Sequence, residues 1–195
     1  MTSLRLSIAS VLNVGIDGPP VTGPANTVLL FCVASVPVGV PVVVTGEPET
    51  VPPLARVLMP DIEQHGYRAY PLVDHIADKV GATVQRYGDA ERPSTRFKDL
   101  VDLVAIITEV SVSADLQMAA LASEGRRRGT RMPTSFDVPD RGLWERGYAA
   151  EARRSLLLIA PTLTEALALV RPFVDPLLTG AATGRWDPTV GRWTG

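Results

Sequence analysis

The sequence predicts an α+β fold, in which a small N-terminal β-sheet, complete or incomplete, precedes a C-terminal bundle of about five helices. The amino-acid composition changes near Glu47. Before that residue the only charged side chains are Arg5 and Asp17, and valine, proline and glycine dominate, as is typical of strands and turns. After Tyr70, apolar residues recur at helical spacing instead.

The N-terminal region holds the strand candidates. Leu4–Ile16 and Thr27–Val36 combine β-branched residues with glycine and proline borders, and Val42–Val44 is a third, shorter candidate. The uncharged run Val28–Val44 is shorter than the roughly 20 apolar residues of a membrane-spanning helix. Three residues also interrupt it: Pro37, Gly39 and Pro41. Buried strands are therefore the favoured interpretation, and no membrane is expected among the partners.

Five segments are predicted to be helices. The first starts at Tyr70-Pro71, because proline suits the first helical turn, and its apolar stripe ends near Arg86. The next three are predicted by apolar spacing and by residues that can cap a helix. They run from Ser94 or Thr95 through Ile107, from Ala114 (capped by Ser113) to about Arg126, and from about Trp144 to Ile159.

The fifth helix has the clearest start signal. Thr162 followed by Glu165 three residues later is a capping-box signature, so the helix should begin at Leu163. We expect it to kink near Pro172 and to end before Pro176. The chain is accordingly divided into a β-rich region (1–69), a helical domain (70–180) and a tail (181–195). The tail repeats Gly-Arg-Trp, and we expect one tryptophan to dock on the core while the rest frays.

The bulk composition limits the possible functions. The chain has 195 residues, of which 46% are hydrophobic and 21% charged, as in a globular protein. Its net charge of −2 gives no overall attraction for nucleic acid, so RNA binding would need a local basic patch. Cys32 is the only cysteine, which excludes an intramolecular disulfide and is consistent with a cytoplasmic location.

Common catalytic motifs are absent from the sequence. The two histidines and one cysteine do not have the spacing of a zinc site. There is no phosphate-binding glycine loop of the Walker or Rossmann type, and no Gly-x-Ser-x-Gly nucleophile turn. Most of the common enzyme classes are therefore unsupported.

Two charged residues lie within apolar helical stretches. Asp102 lies between apolar neighbours, and burial would require it to have a partner. Taken alone, it is better explained as part of a solvated edge paired with Lys98 four residues earlier, and the rival reading is a carboxylate in a cleft that holds a metal or orients a hydroxyl. Lys79 lies beside its helix's apolar stripe. A snorkelling lysine is favoured there over a phosphate-binding cation.

The joint setting of these residues changes that balance. The chain reads Tyr70-Pro71, then Ile76-Ala77-Asp78-Lys79, then Ser94-Thr95-Arg96-Phe97-Lys98-Asp99-Leu100-Val101-Asp102-Leu103. This order resembles the AbiEii/AbiGii (MenT-like) nucleotidyltransferase toxins, with Tyr-Pro, Ile-Ala-x-Lys and Ser-x-Arg-x-Lys-Asp-Leu-x-Asp-Leu, over residues 47–188. The resemblance implies that Lys79 contacts the nucleotide and Asp102 completes the active site. Three further residues match the motif as candidate substrate-binding groups: Arg96, Lys98 and Asp99.

The resemblance also implies the reaction and the partners. It implies a toxin of a type IV-like toxin–antitoxin system that moves nucleotides from a nucleoside triphosphate to an RNA end, with tRNA as the expected acceptor and an antitoxin as the cognate partner. It implies Mg²⁺ as cofactor. The family's metal ligands, a Gly-Ser turn followed by Asp-x-Asp, have no counterpart here. We therefore expect the metal-binding half to be encoded upstream, and the isolated chain, as a truncated product, to transfer no nucleotide.

The sequence is compatible with two functions. One is an active nucleotidyltransferase toxin. The other is a catalytically inactive homologue that binds only RNA or the antitoxin. The basic run Arg126–Arg131 also has two possible roles. Its cations can stabilise the helix end through the helix dipole, or Arg127 can bind the RNA backbone.

Overall fold

The computed structural model describes residues 49–51, 67–155 and 158–195. The described residues belong to two compact units, the first ending at Tyr70 and the second running from Pro71 to Gly195. In the first unit, β1 (Glu49–Val51) pairs antiparallel with β2 (Tyr67–Ala69), so that Glu49 lies opposite Ala69. The strand candidates predicted between Leu4 and Val44 lie outside the described residues.

The second unit is mostly helical. Its five described helices are α1 (Leu72–Val84), α2 (Phe97–Ile107), α3 (Ala114–Arg128), α4 (Arg141–Ala152) and α5 (Leu163–Thr179). Two short antiparallel hairpins complete it, formed by β3 (Arg86–Tyr87) with β4 (Arg92–Pro93), and by β5 (Arg185–Asp187) with β6 (Arg192–Thr194). The predicted α+β class and the bundle of five helices are confirmed. No described helix is long and apolar enough to cross a lipid bilayer.

Helix α2 lies at the centre of this unit and packs against α1, α4 and α5, while α1 also packs against α3. Its apolar residues point to several neighbours at once, and Leu100, Leu103 and Ile106 are fully buried. The helix begins later than predicted. Arg96 rather than Ser94 or Thr95 occupies the N-cap, and the Ser94 hydroxyl accepts a hydrogen bond from the Arg96 amide at 3.2 Å.

Helix α4 ends at Ala152, well before the predicted end at Ile159. The buried Tyr148 hydroxyl donates a hydrogen bond to the carbonyl of Ala160 at 2.9 Å. In a continuous helix these two residues would be about 18 Å apart, at 1.5 Å per residue. The chain must therefore leave the helix and turn back after Ala152 for this bond to form.

Helix α5 starts as predicted and ends later than predicted. The capping box is present, since the Thr162 hydroxyl accepts from the Glu165 amide and the Glu165 carboxylate accepts from the Thr162 amide. The helix then continues through Pro172 and Pro176 to Thr179. Pro172 lies on the exposed face, where water can satisfy the carbonyl that loses its partner. The opposite face of α5 is buried, and its packing keeps the chain helical past both prolines. This face consists of Val170, Phe173, Val174 and Leu177.

The C-terminal tail is more ordered than predicted. Trp186 is buried and donates its Nε1–H to the Ile107 carbonyl at 2.7 Å. Trp193 lies opposite Trp186 in the β5–β6 hairpin and donates to the Phe173 carbonyl at 3.0 Å. Both indoles also contact the Phe173 ring, with centroids 4.9 and 5.1 Å away. The expectation that only one tryptophan docks was therefore wrong, because the hairpin turns both toward the core.

The start of α2 has a close contact with α4 that depends on a glycine. A Cβ atom at Gly147 would lie 2.3 Å from Cζ of Phe97. Gly147→Ala should therefore lower the melting temperature, even though alanine favours helices over glycine by roughly 0.5–1 kcal/mol. Gly142→Ala in the same helix is the matched control, since its Cβ meets nothing closer than Asp140 Oδ1 at 3.7 Å. An equal gain of stability in both variants would contradict the packing described here.

Candidate functional site

The residues predicted from the sequence motif come together where α1 faces α2. Lys79 follows the buried residues Ile76 and Ala77 on α1, so its side chain is carried into the helix interface. Asp99 and Asp102 are three residues apart on α2 and share a face. The Lys79 ammonium group donates to Asp102 Oδ2 at 2.8 Å and to Asp99 Oδ1 at 3.3 Å.

Two further cations bind the same carboxylates from outside. Arg96 Nε donates to Asp99 Oδ2 at 2.7 Å, and Lys98 Nζ lies 2.8 and 2.9 Å from the two oxygens of Asp102. We call these five residues the charge cluster: Lys79, Arg96, Lys98, Asp99 and Asp102. With three cations and two carboxylates, its net charge is +1.

Burial divides the charge cluster into an inner and an outer part. The Lys79 side chain is 3% exposed, and those of Asp99 and Asp102 are 8% and 13% exposed. The outer cations Arg96 and Lys98 are 43% and 55% exposed. The inner charges can be buried because each has an oppositely charged partner within hydrogen-bonding distance. An anionic ligand in solution would meet Arg96 and Lys98 first.

The geometry decides between the local alternatives left open by the sequence. Asp102 does form the predicted pair with Lys98 four residues earlier, but it also binds Lys79 on another helix. Lys79 is not a snorkelling lysine, because its ammonium group is buried with the rest of the side chain. The roles proposed for these residues in nucleotide binding stay predictions, since the arrangement by itself shows an ion network.

The pKa values of Arg96 in the charge cluster and of the neighbouring His75 depart from their ordinary values. The hydrogen bond to Asp99 raises the pKa of the Arg96 guanidinium above its ordinary value. Burial lowers the pKa of His75 from 6.5 to about 4, and the positive charge of Lys79, one turn further along α1, acts in the same direction. His75 therefore stays neutral at physiological pH. The sequence contained no signal for this, because a single histidine on an apolar helix face is an ordinary core residue.

Arg127 lies in a separate network between α1 and the end of α3. Its Nε donates to Glu124 at 2.7 Å and one of its terminal nitrogens lies 3.1 Å from Asp78. Arg128 binds the same two carboxylates and also the side-chain oxygen of Gln85. Burial alone would raise the pKa of Glu124, but the hydrogen bonds and charges of the two arginines lower it. Much of the Arg127 charge is thus already engaged within the protein.

Mg²⁺ has no suitable ligand set in the described part of the chain. Those residues contain no group of three or more histidine, cysteine, aspartate or glutamate side chains that could hold a metal ion. The carboxylates of Asp99 and Asp102 are already bound by ammonium and guanidinium groups, whereas Mg²⁺ requires oxygen ligands in octahedral geometry. The charge cluster as it stands does not fit the metal that the resemblance implies.

Comparison with known proteins identifies the class. The family model "Nucleotidyl transferase AbiEii toxin, Type IV TA system" matches residues 24–178, which is most of the chain. The chain belongs to this family, as the motif suggested. No curated protein and no solved structure matches it. Membership places the chain among nucleotidyltransferase toxins of type IV toxin–antitoxin systems, which in general implies a nucleoside triphosphate substrate and an antitoxin partner.

The buried lysine makes a prediction for stability. Lys79→Ala should lower the free energy of unfolding by about 3 kcal/mol, because it leaves two carboxylates buried with one cation fewer. Arg154→Ala is the control, since it removes an exposed pair with Glu151 that is worth less than about 1 kcal/mol. Urea denaturation of the two variants and the parent measures both values. A loss no larger than that of the control would show that Lys79 is not held as described.

His75 makes a prediction for pH dependence. Its pKa is lower in the folded than in the unfolded chain, so the unfolded state binds the proton first as the pH falls from about 6.5 toward 4. The protein should therefore lose about 2 kcal/mol of stability between pH 7 and pH 5 through this residue. His75→Gln should lack this part of the loss in parallel urea titrations. Identical pH profiles for both proteins would exclude a buried neutral histidine.

Proposed function

We propose that the chain binds a nucleoside triphosphate at the charge cluster, as a component of a nucleotidyltransferase toxin that transfers the nucleotide to an RNA end, with tRNA as the acceptor. The observation that supports this is the arrangement of the cluster. One buried lysine is held between two carboxylates, and each carboxylate holds an exposed cation at the surface. The family to which the chain belongs supplies the reaction class.

The outer cations are suited to the triphosphate. Arg96 presents a planar guanidinium that can form paired hydrogen bonds with phosphate oxygens, and Lys98 adds a compact ammonium group. Both lie at the N-terminus of α2, where the helix dipole also favours an anion. In this proposal the phosphate oxygens take over hydrogen bonds that Lys98 makes to Asp102, while Lys79 keeps both carboxylates in place.

The transfer itself has simple bond changes. A terminal RNA hydroxyl loses its proton to water as its oxygen forms a bond to the α-phosphorus, the bond from that phosphorus to the oxygen shared with the β-phosphate breaks, and pyrophosphate leaves with that oxygen. Catalysis of such steps depends mainly on positioning and on neutralising the phosphate charges. Arg96 and Lys98 would contribute the charge, and Lys79, Asp99 and Asp102 the rigid support.

The remaining partners follow from the same proposal. A nucleoside triphosphate and tRNA are both cytoplasmic, so we place the reaction in the cytoplasm. Arg126 is exposed beside the partly engaged Arg127, so it is a cation of the basic run that an RNA backbone could bind. The cognate antitoxin would restrain the toxin by binding it.

A second function is favoured by one observation. The described residues offer no metal-holding group, and the oxygens of Asp99 and Asp102 are already bound by cations. A homologue that binds RNA or the antitoxin without turnover would need the helices but not the metal.

The two functions differ in an assay with labelled nucleoside triphosphates, Mg²⁺ and bulk tRNA. Lys98→Ala should weaken triphosphate binding about tenfold, the equivalent of one charge-assisted hydrogen bond. Arg141→Ala is the matched control, because Arg141 is similarly exposed and also pairs with an aspartate four residues away, Asp137. Equilibrium binding and incorporation of label into tRNA are measured for each variant.

Label transfer that is lost in Lys79→Ala would support the transferase. Binding without transfer would support the non-catalytic function. Triphosphate binding that is the same in Lys98→Ala and Arg141→Ala, or absent in the parent, would overturn the assignment of the site.

A further inference from the structure

Two buried indole groups hold the two ends of α2. Trp144 on α4 donates its Nε1–H to the carbonyl of Ser94 at 2.8 Å, three residues before the helix begins. Trp186 on β5 donates its Nε1–H to the carbonyl of Ile107, the last residue of the helix, at 2.7 Å. Both indoles are buried, so each bond is shielded from competing water.

The contacts of Trp144 surround Arg96. The indole ring of Trp144 meets the Phe97 ring edge to face, with centroids 5.0 Å apart. Phe97 in turn lies against Gly147, on the same helix as Trp144. Ser94, held by the indole, accepts the Arg96 amide through its hydroxyl. Arg96 is therefore fixed on both sides, through Ser94 before it and Phe97 after it.

We propose that Trp144 is a positioning residue for the phosphate-binding end of the charge cluster. Through Ser94 and Phe97 it fixes the first turn of α2, and this turn carries Arg96, Lys98 and Asp99. The identity of the ligand rests on the function proposed above, whereas the positioning of the first turn of α2 does not. Trp186 holds the opposite end of α2, about 14 Å from Lys98 at 1.5 Å per residue, and has no such role.

The pair Trp144→Phe and Trp186→Phe tests this. Each substitution removes one buried indole hydrogen bond to a backbone carbonyl at an end of the same helix. A purely structural role predicts that both variants lose a few degrees of melting temperature and otherwise behave alike. A positioning role predicts a further difference between them at the charge cluster.

The first readout needs no ligand. Amine acetylation followed by peptide mass spectrometry measures how readily Lys79 reacts, and its 3% exposure should keep the parent rate low. Trp144→Phe should raise that rate severalfold, because a loosened first turn releases Asp99. Trp186→Phe should leave it unchanged. Equal rates in the two variants would overturn the proposal.

The second readout is triphosphate affinity, which should fall about fivefold in Trp144→Phe and stay at the parent value in Trp186→Phe. If the parent binds no triphosphate, the proposed function fails, while the acetylation rate still decides the positioning role. If Trp144→Phe does not fold, Gly147→Ala displaces Phe97 without removing the indole bond, and Gly142→Ala is its control. A Lys79 acetylation rate that Gly147→Ala leaves unchanged would then overturn the proposal.

Discussion

The ammonium group of Lys79 is buried between two helices, and this charge constrains everything around it. Removing an ion from water costs several kcal/mol, which must be offset by partners of good geometry. Asp99 and Asp102 supply them because they lie one turn apart on the facing helix. Any slip of α1 along α2 would separate the lysine from at least one carboxylate. The ion pairs therefore select one register for these helices, and the outer cations Arg96 and Lys98 are placed by that register.

The other elements keep that arrangement rigid. Helix α4 holds the start of α2 through Trp144, and the C-terminal hairpin holds its end through Trp186. On the far side of α1, Arg128 lies across Gly81, where a Cβ would be 2.7 Å from its Nε. The same arginine binds Asp78 on α1 and Glu124 on its own helix, which joins α1 to α3. The charge cluster is thus accompanied by the aromatic contacts of Trp144, and the network of Arg128 by the close approach at Gly81.

The inner and the outer charges of the charge cluster have different effects. The inner charges are almost fully compensated, so their main effect is structural, while the exposed cations retain capacity for an anion. Under the proposed function that anion would be a nucleoside triphosphate, the general substrate class of the AbiEii family. The carboxylates do not form a metal site as they stand, because cations of the chain already bind them. Under the proposed function, triphosphate binding can therefore be tested separately from metal-dependent turnover.

The sequence by itself determined the features that depend on neighbours within a few residues. The helical segments followed from apolar spacing, the start of α5 from the Thr162–Glu165 capping box, and the family from one motif. What depends on distant residues was decided only by the tertiary structure. Tyr148 on α4 binds Ala160 beyond the end of that helix, the buried face of α5 carries it past Pro176, and Arg127 pairs with Asp78 on α1. Lys79 and Asp102 could be named from the motif, but their pairing is a contact 23 residues apart along the chain, created when two helices pack.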